Sequence, residues 1–160
     1  REDVVIITKC GVTWDQEMKG DLFNKVNGIQ LYKNLNSASI KREIEESLKR
    51  MGTDYVDVYM THWQSIEGSE YYVPIQKTME VLNDLKAQGK IKAIGAANVD
   101  IKQIQEYLKW GELDIVQAKL TVALRMKSFL AVVKTVLQFR LTHRSKWDFS
   151  RVHSQEITSL

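Results

Sequence analysis

Proline and cysteine are nearly missing from this chain, which holds one of each, Pro74 and Cys10, in 160 residues. A lone thiol excludes an internal disulfide and suits a reducing compartment, so a cytoplasmic location is expected. The aliphatic run Val4–Ile7 is far too short to cross a membrane, which takes about 20 apolar residues. No charged-then-apolar leader opens the chain, and neither does a methionine. It starts Arg-Glu-Asp and enters a buried-type strand at once, so a segment from the middle of a longer protein is expected. Of the three histidines, His143 and His153 show no metal-ligand spacing with Cys10 or a carboxylate cluster, and no metal site is expected. A glycine-rich phosphate turn of the Rossmann type is also missing between strand and helix.

Glycine is missing from one region only. All eight glycines and the proline lie before residue 120. Charge divides at the same place: residues 1–119 hold 16 Lys/Arg and 18 Asp/Glu, and residues 120–160 hold 7 and 2. The net charge of +3 therefore joins a weakly acidic body to a tail of +5. A basic tail can attract acidic partners, but without an interleaved nucleic-acid motif no nucleic-acid partner is expected. Composition breaks near Lys119.

What the chain does have is organised around Asp54–Trp63. Val56, Val58 and Met60 alternate with Asp57 and Tyr59, the period of a strand, and the pattern stops at Thr61-His62-Trp63. A histidine there is either a buried group bonded to a backbone carbonyl or a group at a functional strand end. Val4–Thr8 is a continuous β-branched run, expected to be a parallel strand covered on both faces. Lys9 after it is either a solvated cap or an ammonium aimed at an active-site mouth. Residues 12–35, with Trp14, Phe23 and Tyr32, form a connection long enough for a functional lid; a surface excursion or a short helix is the alternative.

Asn36 is expected to cap a helix with Ile40, Ile44, Leu48 and Met51 on its apolar face and Gly52 at its end. Pro74 suits the first turn of a second helix faced by Ile75, Met79, Leu82 and Leu85 and ended by Gly89. Lys90–Gly95 reads as a strand followed by Asn98. Asp100 can cap a third helix with Ile101, Ile104 and Leu108, stopping at Gly111. Leu113–Ala118 is a fourth strand. Four strands alternating with three helices imply a parallel α/β sheet. Polar residues at strand ends (Lys9, His62, Asn98, Gln117) favour a (β/α)₈ TIM barrel, of which about four central β-α units are present.

Four stretches carry a resemblance: Val-Val-Ile-Ile-Thr-Lys, Arg-Met-Gly-Thr-Asp-Tyr-Val-Asp-Val-Tyr-Met-Thr-His-Trp, Gly-Lys-Ile-Lys-Ala-Ile-Gly-Ala-Ala-Asn and Asp-Ile-Val-Gln-Ala-Lys. Residues 1–119 resemble the aldo-keto reductases, most of all bacterial members that reduce methylglyoxal and related small aldehydes. The resemblance implies carbonyl reduction with NADP or NAD and a small-molecule carbonyl partner, and it implies no metal. It puts Lys9 and His62 at two places of the family's Asp-Tyr-Lys-His tetrad. Asn98 and Gln117 fall where the nicotinamide carboxamide is held, an amide-to-amide match. Ala97 stands where many members have a serine. Trp63, with Trp14 from the long connection, would wall the substrate pocket. The tetrad's aspartate and tyrosine, and the phosphate sites after the last two strands, have no counterpart, so the chain by itself is expected to be inactive.

The break at Lys119 reads as a change of frame. Joining the third base of each codon to the first two of the next forces Glu from Met126-Lys127 and Gly from Trp147-Asp148. Across Val136 to Val152 the permitted residues include V-A-V-Q-A-Y-S-P-L-E-V-G-L-L-T-G, which resembles the family's seventh strand and its Ser-Pro-Leu loop. Residues 120–160 are therefore expected to be an out-of-frame, non-native tail, helical or disordered. Two rival readings remain. One is a non-catalytic accessory module on the same fold. The other gives the tail a role: Val122, Met126, Phe129, Val133 and Val136 make an apolar stripe with basic neighbours, as in helices that bind membranes or partner proteins.

Overall fold

The computed structural model describes residues 4–117, which belong to one compact unit. The tail with its apolar stripe, His143 and His153 lies outside the described residues. In chain order the elements are β1 (Ile7–Cys10), β2 (Val12–Thr13), β3 (Asp21–Val26), β4 (Ile29–Lys33), α1 (Ser37–Met51), β5 (Val56–Thr61), α2 (Ile75–Ala87), β6 (Ile91–Ala97), α3 (Ile101–Trp110) and β7 (Ile115–Gln117).

Strands β1, β5, β6 and β7 form a parallel sheet in that order. Spatial order equals chain order, and a helix separates each strand from the next. A doubly wound sheet reverses its strand order at a switch point; this one does not, so it is a run of barrel-type β-α units. The sheet face formed by Val58, Met60, Ala93 and Ala97 packs together with Ile115. On the other face Tyr59 is fully buried and its hydroxyl donates to the Ile40 carbonyl of α1 at 3.2 Å.

The helices form where sequence places their stops. The Asn36 side chain accepts from Ser39 N–H, and Gly52 ends α1 in the left-handed region at φ 61°, which glycine enters at little cost. Asp100 and Gln103 form a reciprocal capping box on α3, an arrangement that satisfies two helix-end donors. Ile40, Ile44 and Leu48 are buried under α1, each such side chain worth about 1.5–3 kcal/mol of apolar transfer. Met51, expected on that stripe, is exposed as the last residue of α1. In α3 the fully buried residue after Ile104 is Tyr107, not Leu108.

Two expectations change. The β1 ladder begins at Ile7, and Val4, Val5 and Ile7 are 57%, 64% and 52% exposed, so the run is not covered on both faces. Among the described residues β1 is an edge strand with β5 as its neighbour. Residues 12–35 hold no short helix: they fold as an antiparallel sheet in the order β2-β4-β3. Asn27 and Gly28 both have positive φ, 50° and 84°, the signature of a type I′ hairpin turn. Gly20 permits the hairpin root, since a Cβ there would stand 2.1 Å from the Lys33 carbonyl oxygen. The buried Asn34 amide closes the root by donating to the Met18 and Lys19 carbonyls. Among the described residues no helix is long and apolar enough to cross a membrane.

Candidate active site

Parallel strands deliver their carboxyl ends to one rim, and here backbone and amide groups thread those ends together. His62 N–H donates to the Cys10 carbonyl at 2.8 Å. The Asn98 side-chain amide donates to the His62 carbonyl at 2.8 Å. Asn98 N–H donates to the Gln117 carbonyl at 3.0 Å. Lys9, His62, Asn98 and Gln117 thus sit at the ends of four adjacent strands. Asn98 takes a left-handed conformation, φ 54°, which a short amide tolerates better than most side chains.

Register sets the neighbours: Lys9 lies opposite Met60, and His62 follows the last residue of β5, close enough to Lys9 to feel its charge. Burial, and after it the Lys9 ammonium, hold the His62 imidazole below its ordinary value. It is therefore neutral at pH 7 and carries one N–H donor. Among the described residues it makes no side-chain hydrogen bond, unlike the satisfied core histidine that was the alternative. Gln117 is exposed, and among the described residues Asn98 Oδ1 accepts no hydrogen bond. Two amides at adjacent strand ends could pair with a carboxamide; nothing comparable in the described residues would cradle phosphates. Among the described residues no group of three His, Cys, Asp or Glu could hold a metal.

The hairpin supplies a wall that sequence reading missed. The β3–β4 register slips between Leu22 and Asn24, and a bulge of that kind re-aims the residue inside it. That residue is Phe23, whose ring lies 5.8 Å from the Trp63 ring. Lys33 Nζ stands 5.0 Å from the Trp63 centroid and 5.5 Å from that of Phe23, contacts worth about 0.5–1 kcal/mol where exposed. Trp63 lies 6.5 Å from His62. Ser69 donates to Asp21 and ties the hairpin to the loop after β5. Trp14 is placed elsewhere. It is 57% exposed and lines a cleft of about 580 Å³ with Lys9, Asp15, Arg42 and Glu43, whose walls do not include His62 or Trp63.

Behind that cleft, Glu43 accepts from Gly11 N–H at 3.0 Å and from the Ser39 hydroxyl at 3.0 Å. Burial outweighs these bonds and pushes its carboxyl up to about 7. Burial, aided by the Glu43 charge, also raises the Cys10 thiol well above its ordinary value, so Cys10 is an inert core residue.

The Aldo/keto reductase family model matches residues 1–134. The chain belongs to the aldo/keto reductase family. This aldo/keto reductase segment is 58% identical over 122 residues to the NADH-specific methylglyoxal reductase of Escherichia coli (strain K12), covering 76% of the chain and 36% of that relative. It resembles the solved aldo-keto reductase AKR11C1 from Bacillus halodurans in fold, with a TM-score of 0.65 at 24% identity over 85% of this chain and 41% of that one. An aldo-keto reductase from Klebsiella pneumoniae in complex with NADPH matches at a TM-score of 0.51 and 27% identity, over 69% of this chain and 36% of that one. The parallel sheet is accordingly part of the family's (β/α)₈ barrel. The chain spans about a third of the length of the curated relatives it matches. The family match runs past Lys119 to residue 134.

Proposed function

We propose that the complete protein to which this segment belongs reduces small aldehydes and ketones to alcohols, with methylglyoxal-like α-oxo aldehydes as the substrate class and NADH as the reductant. The observation that supports this reading is that Lys9 and His62 stand at the carboxyl ends of the paired parallel strands β1 and β5, in a chain 58% identical to a methylglyoxal reductase that is NADH-specific. A nicotinamide dinucleotide held at this rim would supply the hydride for the carbonyl carbon, and the negative charge left on the oxygen would have to be met by donors and a proton. The neutral His62 N–H donates to that oxygen and orients it. Lys9 adds positive charge beside the family's tyrosine, whose proton completes the alcohol, because a cation favours the phenolate. Asn98 and Gln117 hold the carboxamide, Trp63 walls the substrate side, and Trp14 borders the Lys9 cleft.

On the same reading, residues 120–160 are an out-of-frame tail with no part in the site. Resequencing the locus is expected to give a shifted frame containing Tyr-Ser-Pro-Leu opposite the codons for Val136 to Val152, and the full product of that frame is expected to consume NADH only when methylglyoxal is added. A stop codon inside that stretch contradicts the frame reading; a full product that spares NADH contradicts the assignment of function.

A further inference from the structure

Directly beneath the rim lies a closed polar ring that the reaction described above does not use. The Gln64 amide nitrogen lies 3.1 Å from Thr61 Oγ1 and 3.3 Å from the Ala97 carbonyl. The Tyr107 hydroxyl lies 2.6 Å from Gln64 Oε1 and 3.1 Å from Thr61 Oγ1. All three side chains are buried, with Thr61 and Tyr107 fully so. Counting protons settles every direction. Gln64 has two N–H donors, which serve Thr61 and Ala97. Tyr107 has one, which the short contact assigns to Gln64 Oε1. Thr61 must then donate to Tyr107 Oη. The bonds therefore run one way round: Gln64 to Thr61, Thr61 to Tyr107, Tyr107 to Gln64. Each hydroxyl is donor and acceptor at once, the arrangement in which neighbouring bonds polarise and strengthen one another.

The ring's position gives it a task. Thr61 is the last residue of β5, immediately before His62; Ala97 is the last of β6, immediately before Asn98. Gln64 bridges those two strand ends, and Tyr107 fixes Gln64 from α3. Residues from β5, the loop after it and α3 thus hold the turns that carry His62 and Asn98 at a set distance. Stability alone does not call for the whole ring, since an apolar trio of the same shape leaves no side-chain group unpaired and removes only the Gln64 donor to the Ala97 carbonyl. We propose that Gln64, Thr61 and Tyr107 are positioning residues that fix His62, the carbonyl-side donor, relative to Asn98, the carboxamide-side amide. This rests on the reading of those two groups given under the proposed function.

The test is nuclear magnetic resonance on the 160-residue chain, reading the His62 imidazole titration and the hydrogen exchange of the Asn98 side-chain amide. Thr61→Val and Tyr107→Phe each remove one hydroxyl. Both are expected to loosen the rim, move the His62 titration upward by about half a pH unit, and speed Asn98 amide exchange about tenfold. Thr61→Ser keeps the hydroxyl and is expected to restore both readouts. Ile44→Val, a core change under α1 remote from the ring, is expected to lower stability and leave both unmoved. Wild-type values for His62 and Asn98 in folded Thr61→Val and Tyr107→Phe chains overturn the proposal. Should both variants fail to fold, the wild-type chain decides: slowly exchanging Thr61 and Tyr107 hydroxyl protons with cross-peaks to the Gln64 amide support the ring, and their absence overturns it. Neither readout needs turnover, so this proposal fails separately from the carbonyl-reduction reading.

Discussion

Mixed with methylglyoxal and NADH, the purified 160-residue chain is expected to leave both unchanged. The reaction needs a proton donor at the nascent alkoxide, and positioned acid catalysis contributes roughly 10²–10⁴-fold. Neither fully buried tyrosine can serve. The Tyr59 hydroxyl donates to the Ile40 carbonyl, and that of Tyr107 is closed into the ring with Gln64 and Thr61. Burial raises both hydroxyls far above their ordinary value, which makes them still poorer acids. Among the described residues the rim offers amides for a carboxamide without a cradle for phosphates, so these residues alone would not hold the reductant in reacting geometry, and misplacement alone can cost about 10²-fold. Methylglyoxal-dependent oxidation of NADH by this chain, abolished in His62→Ala, would overturn this expectation outright.

A second large effect concerns pH. Glu43 is held at about 7 by burial while an unfolded chain leaves it near 4.5. Between those values the folded state keeps a proton that the unfolded state has lost, so stability falls as pH rises through that window and levels off above it. The shift corresponds to about 3 kcal/mol. Glu43→Gln keeps an acceptor for Gly11 N–H and Ser39 while removing the charge. Denaturant titrations at pH 5 and pH 8 are expected to show the variant near wild type at the lower pH and more stable by about 3 kcal/mol at the higher. A wild type that gains stability over this range, with no difference in the variant, rules the assignment out. The effect bears on function because Gly11, whose N–H Glu43 accepts, lies two residues beyond Lys9.

Sequence made the sheet and helices legible where local chemistry and burial agree. Asn36 and Asp100 cap helices because each offers an acceptor to an orphan N–H three residues on. The stripes of α1 and α2 survive, with Ile40, Ile44, Met79 and Leu82 all fully buried. The rim followed from strand ends alone, since parallel pairing brings Lys9, His62, Asn98 and Gln117 together whatever their separation in the chain. The hairpin was not read, although Asn27-Gly28 announces its turn. Its strands leave Leu22, Val26 and Ile29 exposed at 63%, 47% and 53%, so no one-sided apolar pattern marks them. Phe23 could not be placed from sequence at all, because its aim depends on a slip in pairing with β4. Tyr107 was passed over for a similar reason: its burial is set by a hydroxyl partner on another element, 46 residues away.

The most direct measurement is steady-state reduction of methylglyoxal by the full product of the locus, in the frame its verified DNA gives, compared with the same product carrying His62→Ala. The account predicts that the variant folds, still binds NADH, and loses roughly 10²–10³-fold in kcat/KM, as expected when a donor to the developing oxyanion is removed. A folded His62→Ala product that reduces methylglyoxal at the wild-type rate would contradict it.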